Sequence, residues 1–189
     1  MYLFTGNTLL LLILQIHWSE SSIRPACSQQ SSGKLLCTSF PACQLYRHTS
    51  YAQFQLTDTM ELSSYQLANC HINSLKLTFE FNNVARIRSN AFSNLSVAPG
   101  SILTIKFDPS KAKGKQIKNL IIYQDAFENL RLGEQSQLVL EVANYQQVIV
   151  EDSMVRSVLQ QADSSVHLSF RNLSQIILND NYTAIHNDR

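Results

Sequence analysis

From residue 74 onward the chain is a succession of short runs in which apolar and polar side chains alternate: "LKLTFEF" at 75–81, "ILTIKF" at 102–107, "LVLEV" at 138–142 and "VHLSF" at 166–170. A period of two is what a strand with one buried face requires. Each run is followed by a shorter apolar stretch: Val84 with Ile87, then "LII" at 120–122, "VIV" at 148–150 and "IIL" at 176–178. These read as second strands. The steps between Leu77, Leu103, Leu138 and Leu168 are 26, 35 and 30 residues. The longest contains a stretch of turn and charge, "DPSKAKGKQ" at 108–116, and without those nine residues it too is 26. A short period with loop insertions predicts a mainly β fold, a parallel β-solenoid whose coils stack because none can bury its apolar side chains alone.

A recurring frame supports the same reading. Residues 87–95 are "IRSNAFSNL" and residues 122–130 are "IYQDAFENL", so I-x-x-x-A-F-x-N-L occurs twice. Aligning Ile87, Ile122, Val150 and Leu178 sets Ala91-Phe92 against Ala126-Phe127, then Met154-Val155, then Tyr182-Thr183. The small residue admits a close turn, and the aromatic fills the space between neighbouring coils. Cys70 falls where Leu95 and Leu130 sit, which suggests an earlier, weaker coil ending there. The chain is thereby divided into residues 1–22, residues 23–73 as a cysteine-containing N-terminal cap and first weak coil, and residues 74–189 as the solenoid.

In the first full coil the spacing is Leu77-x-Phe79-x-x-Asn82-x-Val84-x-x-Ile87-x-x-x-Ala91-Phe92-x-x-Leu95. This resembles the extracellular leucine-rich-repeat pattern L-x-L-x-x-N-x-I-x-x-I-x-x-x-A-F-x-x-L. The second coil keeps its back half, Ile122-x-x-x-Ala126-Phe127-x-x-Leu130. The resemblance implies a leucine-rich-repeat-like solenoid, and two strands per coil would make it flatter, as in a receptor L-domain. It also implies a ladder of asparagine side chains between coils. The positions equivalent to Asn82 are Ile117, Tyr145 and Leu173, with Asn144 and Asn172 one residue away.

Composition narrows the setting. Fifteen basic and 14 acidic residues give a formal charge of +1, so no global field favours nucleic acid or an anionic membrane. The apolar run "LLLLILQI" at 9–16 has the size of a secretory h-region and is too short to span a bilayer. Residues 1–22 are therefore read as a cleaved signal peptide. N-x-S/T sequons at Asn94, Asn172 and Asn181 predict glycosylation, and the even set Cys27, Cys37, Cys43 and Cys70 predicts two disulfides in one of three connectivities. No C-x2-C pair exists, and His17, His48, His71, His167 and His186 lack ligand spacing, so no metal or other cofactor is expected. The localisation these features indicate is secreted or extracellular.

If the first strands stack, their outward residues form columns. One is Glu80, Lys106, Glu141 and Arg171, alternating in sign; together with Lys76, Thr78, Thr104, Val139, His167 and Ser169 it forms a candidate partner surface. Lys111, Lys113, Lys115 and Lys118 form a candidate polyanion loop. The chain has no G-x-S-x-G, H-E-x-x-H or glycine-rich phosphate loop, and only five glycines. The expectation is a non-enzymatic adhesion or receptor-ectodomain-like protein that recognises another extracellular protein. The alternatives are a glycosaminoglycan or carbohydrate binder using the lysine loop, and a β-solenoid polysaccharide-degrading enzyme.

Overall fold

The structure is a computed structural model, and it describes residues 27–29, 34–37, 51–55, 60–63, 67–112, 114, 116–151 and 158–179. The predicted signal peptide, Cys43, Lys113, Lys115, Met154, Val155, Asn181 and the residues after it lie outside the described residues. The fold is mainly β, a parallel β-solenoid of about four turns.

Among the described residues each full coil carries three strands. The first coil has β3 (Tyr51–Phe54), β4 (Met60–Leu62) and β5 (His71–Ile72); the second has β6 (Lys76–Phe81), β7 (Val84–Ile87) and β8 (Ser96–Val97). The third has β9 (Ile102–Phe107), β10 (Asn119–Ile122) and β11 (Arg131–Leu132); the fourth has β12 (Gln137–Ala143), β13 (Gln147–Glu151) and β14 (Leu159–Gln160). Strands β15 (Ser165–Arg171) and β16 (Gln175–Asn179) begin a further coil. Stacking yields a seven-stranded sheet β1-β2-β3-β6-β9-β12-β15, a five-stranded sheet β16-β13-β10-β7-β4 and a four-stranded sheet β14-β11-β8-β5. The expectation of two strands per coil is thus corrected to three, because the third is only two residues long and too short to carry a period.

The N-terminal end of the seven-stranded sheet is built differently. Strand β1 (Cys27–Gln29) pairs antiparallel with β2 (Lys34–Cys37), and a Cys27–Cys37 disulfide crosses the pair. Every other strand pairing among the described residues is parallel. Cys70 is disulfide-bonded too.

Alternation decides which side chains enter the core. Along β9 every second residue is buried (Leu103, Ile105, Phe107), and register stacks them on Leu77, Phe79 and Phe81 of β6. Phe54, Phe81 and Phe107 form a continuous stack at centroid distances of 4.9 and 5.1 Å, and Phe92 lies on Phe127 at 4.7 Å. The alignment of Ile87, Ile122 and Val150 with Leu178 is the observed register, and Cys70 occupies the Leu95 and Leu130 position, since His71 pairs with Ser96 and Ser96 with Arg131.

Corners repeat as faithfully as strands. Asn69, Asn94 and Asn129 share one left-handed backbone position with φ of 59°, 53° and 53°; Asn90 and Asp125 share a second at 61° and 57°. A third column holds Gly100, Gln135 and Asp163 at 69°, 55° and 56°. Asparagine, aspartate and glycine tolerate this conformation best, because a Cβ there crowds the backbone. The recurring frame is therefore two left-handed corners, Asn90 or Asp125 and Asn94 or Asn129, around an inward Ala-Phe pair.

Candidate functional site

The outward face of the seven-stranded sheet brings together most of the residues expected to form a partner surface. Thr78 pairs with Thr104, Thr104 with Val139 and Val139 with His167, so these four form one column across β6, β9, β12 and β15. Lys76 lies beside Ile102 at the strand starts. Two corrections concern the charged column. Glu141 pairs with Ser169, and Arg171 lies two residues further on, opposite Ala143. A two-residue slip leaves every side chain on the same face, so alternation alone could not exclude it. Arg171 nevertheless reaches back diagonally to Glu141 at 2.7 Å, and Lys106 lies 3.7 Å from the same carboxylate.

The second correction is Glu80, which is only 2% exposed and so is not part of an accessible face. Its carboxylate accepts a 2.6 Å hydrogen bond from Lys111 Nζ in the inserted loop. Lys111 gets there because Pro109–Lys111 is one turn of 3-10 helix, capped by Asp108, whose Oδ1 accepts from the Ser110 amide and hydroxyl at 3.0 and 2.6 Å. The bond to Glu80 raises the Lys111 pKa above its ordinary value. Of the four lysines expected to bind a polyanion, Lys111 is engaged with Glu80, Lys118 is exposed, and the other two lie outside the described residues.

A polar ladder exists, displaced by one residue from the position the resemblance implies. Asn172 Nδ2 donates to Asn144 Oδ1 at 3.1 Å, and Asn144 Nδ2 donates to Asp108 Oδ1 at 2.8 Å. Burial pushes the Asp108 carboxyl up, but the bonds from Ser110 and Asn144 outweigh it and hold the pKa below the ordinary value. The ladder lines a shallow groove with Lys106, Ala143 and Arg171. Asn82 itself is buried, and its side-chain amide has no hydrogen-bond partner among the described residues. Of the predicted glycosylation sites, Asn94 and Asn172 are both exposed left-handed corners.

The five-stranded sheet presents a feature that the sequence reading missed. Ile121, Ile149 and Ile177 pair in register and point outward, half-buried, between the inward residues of β10, β13 and β16. Beside them run Asn119, Gln147 and Gln175, with Gln147 Nε2 donating to Gln175 Oε1 at 2.9 Å. The isoleucine column continues into Arg86 and Glu61. Glu61 is clamped by Arg86 Nη1 at 2.6 Å and by Arg88 Nε at 2.7 Å, and the Arg88 guanidinium lies 4.8 Å from the Tyr123 ring centre. The sheet thus carries an apolar stripe with a polar row on one side and an arginine and tyrosine cluster near one end.

The chain matches no protein-family model, no curated protein and no solved structure. No helix among the described residues is long and apolar enough to cross a membrane.

Bonding by Arg88, then Arg86, lowers the Glu61 pKa to about 2 from an ordinary 4.5. The folded value lies below the unfolded one, so the stabilisation is fully present above about pH 4.5 and is lost as pH falls towards 2. Carboxyl-resonance titration by NMR is expected to find Glu61 still ionised at pH 3. Replacing both arginines by alanine is expected to return it to the ordinary range, and an ordinary value in the unaltered protein would contradict the clamp.

Proposed function

We propose that this protein is a secreted, non-enzymatic binding module, of leucine-rich-repeat-like character, that recognises another extracellular protein through the flat outward face of its stacked coils. The carrying observation is the Ile121, Ile149 and Ile177 stripe. Protein interfaces combine an apolar centre with a polar rim and favour arginine and tyrosine as anchors. The glutamine row and the Arg86, Arg88 and Tyr123 cluster fit that description. Secretion is supported by the Cys27–Cys37 disulfide, since such bonds persist in oxidising compartments. A non-enzymatic role is supported by the engagement of the sheet carboxylates: Glu141 is neutralised by Lys106 and Arg171, and Glu80 by Lys111.

A second surface for the same function is the seven-stranded sheet, favoured by the contiguous Thr78, Thr104, Val139 and His167 column. The two faces separate experimentally. In a screen of displayed extracellular proteins, a partner identified with the unaltered chain is expected to lose at least about tenfold in affinity with Ile149→Asp and to tolerate Val139→Asp. The reverse pattern would move the site to the other sheet. Lack of any partner, with hydrolysis of a polysaccharide instead, would overturn the binding reading.

A further inference from the structure

We propose that Arg86 and Arg88 form a carboxylate-binding site. It takes an aspartate or glutamate side chain of the protein partner, while neighbouring apolar residues of that partner cover Ile121 and Ile149. The inference rests on the reading of the five-stranded face as a protein-binding surface, and it adds the chemistry that the partner must carry.

Glu61 holds both arginines without satisfying them. Arg88 Nε and Nη2 donate to Glu61 Oε2 and Oε1 at 2.7 and 2.9 Å, and Arg86 Nη1 donates to Oε1 at 2.6 Å. The other donors, Arg88 Nη1 and Arg86 Nε and Nη2, have no acceptor among the described residues. Two guanidinium charges against one carboxylate leave one positive charge uncompensated. Glu151 acts on Arg88 only through space, and most weakly of its neighbours. Glu141 is likewise shared by two cations, Lys106 and Arg171, but there Asp108 lies close enough to act on Lys106 and the charges balance.

The pair is also arranged in advance. Arg88 is fixed on two carboxylate oxygens with its guanidinium carbon 4.8 Å from the Tyr123 ring centre, so little side-chain freedom remains to be lost on binding. Side-chain exposures of 48% for Arg86 and 40% for Arg88 keep both within reach. A carboxylate matches the planar fork of a guanidinium, and charge-assisted bonds of this kind are stronger than neutral ones.

Position decides which kind of anion fits. Arg86 pairs in register with Ile121, and Ile121 with Ile149, so the charge opens onto apolar side chains about 4.8 Å and 10 Å away. A sulfated polysaccharide is held by a run of cations, and this column offers none beyond Arg86 among the described residues. A protein segment brings its carboxylate together with apolar side chains able to fill the centre of an interface.

Selecting a displayed library of random peptides on the secreted chain tests this. Enriched peptides are expected to share an aspartate or glutamate beside aliphatic or aromatic residues. Exchanging that acid for its amide in the peptide is expected to weaken binding by about tenfold, with no change made to the protein. Arg86→Ala keeps the two-bond contact between Arg88 and Glu61 and is expected to cost a similar factor, whereas Arg86→Lys keeps the charge and most of the affinity. Ile149→Asp is expected to abolish binding. Peptides that are lost with Ile149→Asp but lack an acid and tolerate Arg86→Ala would overturn the carboxylate site and leave the protein-binding face standing. Peptides indifferent to both substitutions would overturn the two together. Failure to enrich any peptide, with heparin retained by the unaltered chain and released by Arg86→Ala, would overturn the proposal in favour of a polysaccharide anion.

Discussion

Phe81→Ala is expected to lower the unfolding free energy by about 3–5 kcal/mol. The Phe81 ring is fully buried and stacked between Phe54 and Phe107, with interplanar angles of 12° and 14°. These three residues occupy β3, β6 and β9, so removing the middle ring opens a cavity across two coil interfaces at once. A solenoid has little with which to compensate, because most of each coil's packing is against its immediate neighbours. Against a total stability of about 5–15 kcal/mol for an ordinary domain, such a loss is a large fraction. Urea unfolding followed by circular dichroism reads it directly. A loss below about 1 kcal/mol, less than a buried aromatic truncation allows, would mean that the ring is not sandwiched between coils.

Tyr145→Phe is expected to cost about 1–3 kcal/mol, the penalty for leaving a buried acceptor without its donor. Tyr145 Oη donates at 2.9 Å to the Val84 carbonyl, reaching from the fourth coil to the second. The residue is 1% exposed, and burial, with the nearby Asp108 charge, raises its pKa above the ordinary value of a phenol. The hydroxyl therefore remains a neutral donor, and the loss should be the same at pH 6 and pH 9. Phenylalanine keeps the ring, so the substitution isolates the hydrogen bond from packing. Equal stability of the two proteins would show that the Val84 carbonyl has another donor.

The parts of this fold that were legible in the sequence are those written as side-chain period. Alternation located β6, β9, β12 and β15, and the shared frame set Ile87, Ile122, Val150 and Leu178 in their observed register. The error at β15 has a physical cause: counting from Leu138 to Leu168 differs by two residues from the true partner, Val166, and both choices bury the same face. The third strands were invisible because two residues cannot show a period. The corner column of Gly100, Gln135 and Asp163 was equally hidden, since three different residues share only a backbone angle.

The candidate site was legible only in part for related reasons. Thr78, Thr104, Val139 and His167 could be placed on one face because polar residues interrupt their runs. The isoleucine stripe lies inside "LII", "VIV" and "IIL", where an unbroken apolar run suggests burial on both faces, although the middle residue of each points outward. The pairing of Lys111 with Glu80 depends on how a loop folds back over a strand of the preceding coil, and no local pattern encodes that.

Methyl NOEs measured on isoleucine-labelled protein probe the stacked-coil register and the outward stripe together. Strands in register lie about 4.8 Å apart, which is well within NOE range for facing methyl groups. Cross-peaks are expected between Ile121 and Ile149 and between Ile149 and Ile177, with Ile149 accessible to a soluble paramagnetic agent. Ile149 cross-peaks to buried Leu120 or Ile122 methyls with no contact to Ile177, together with protection from the agent, would contradict both the register and the binding surface built on it.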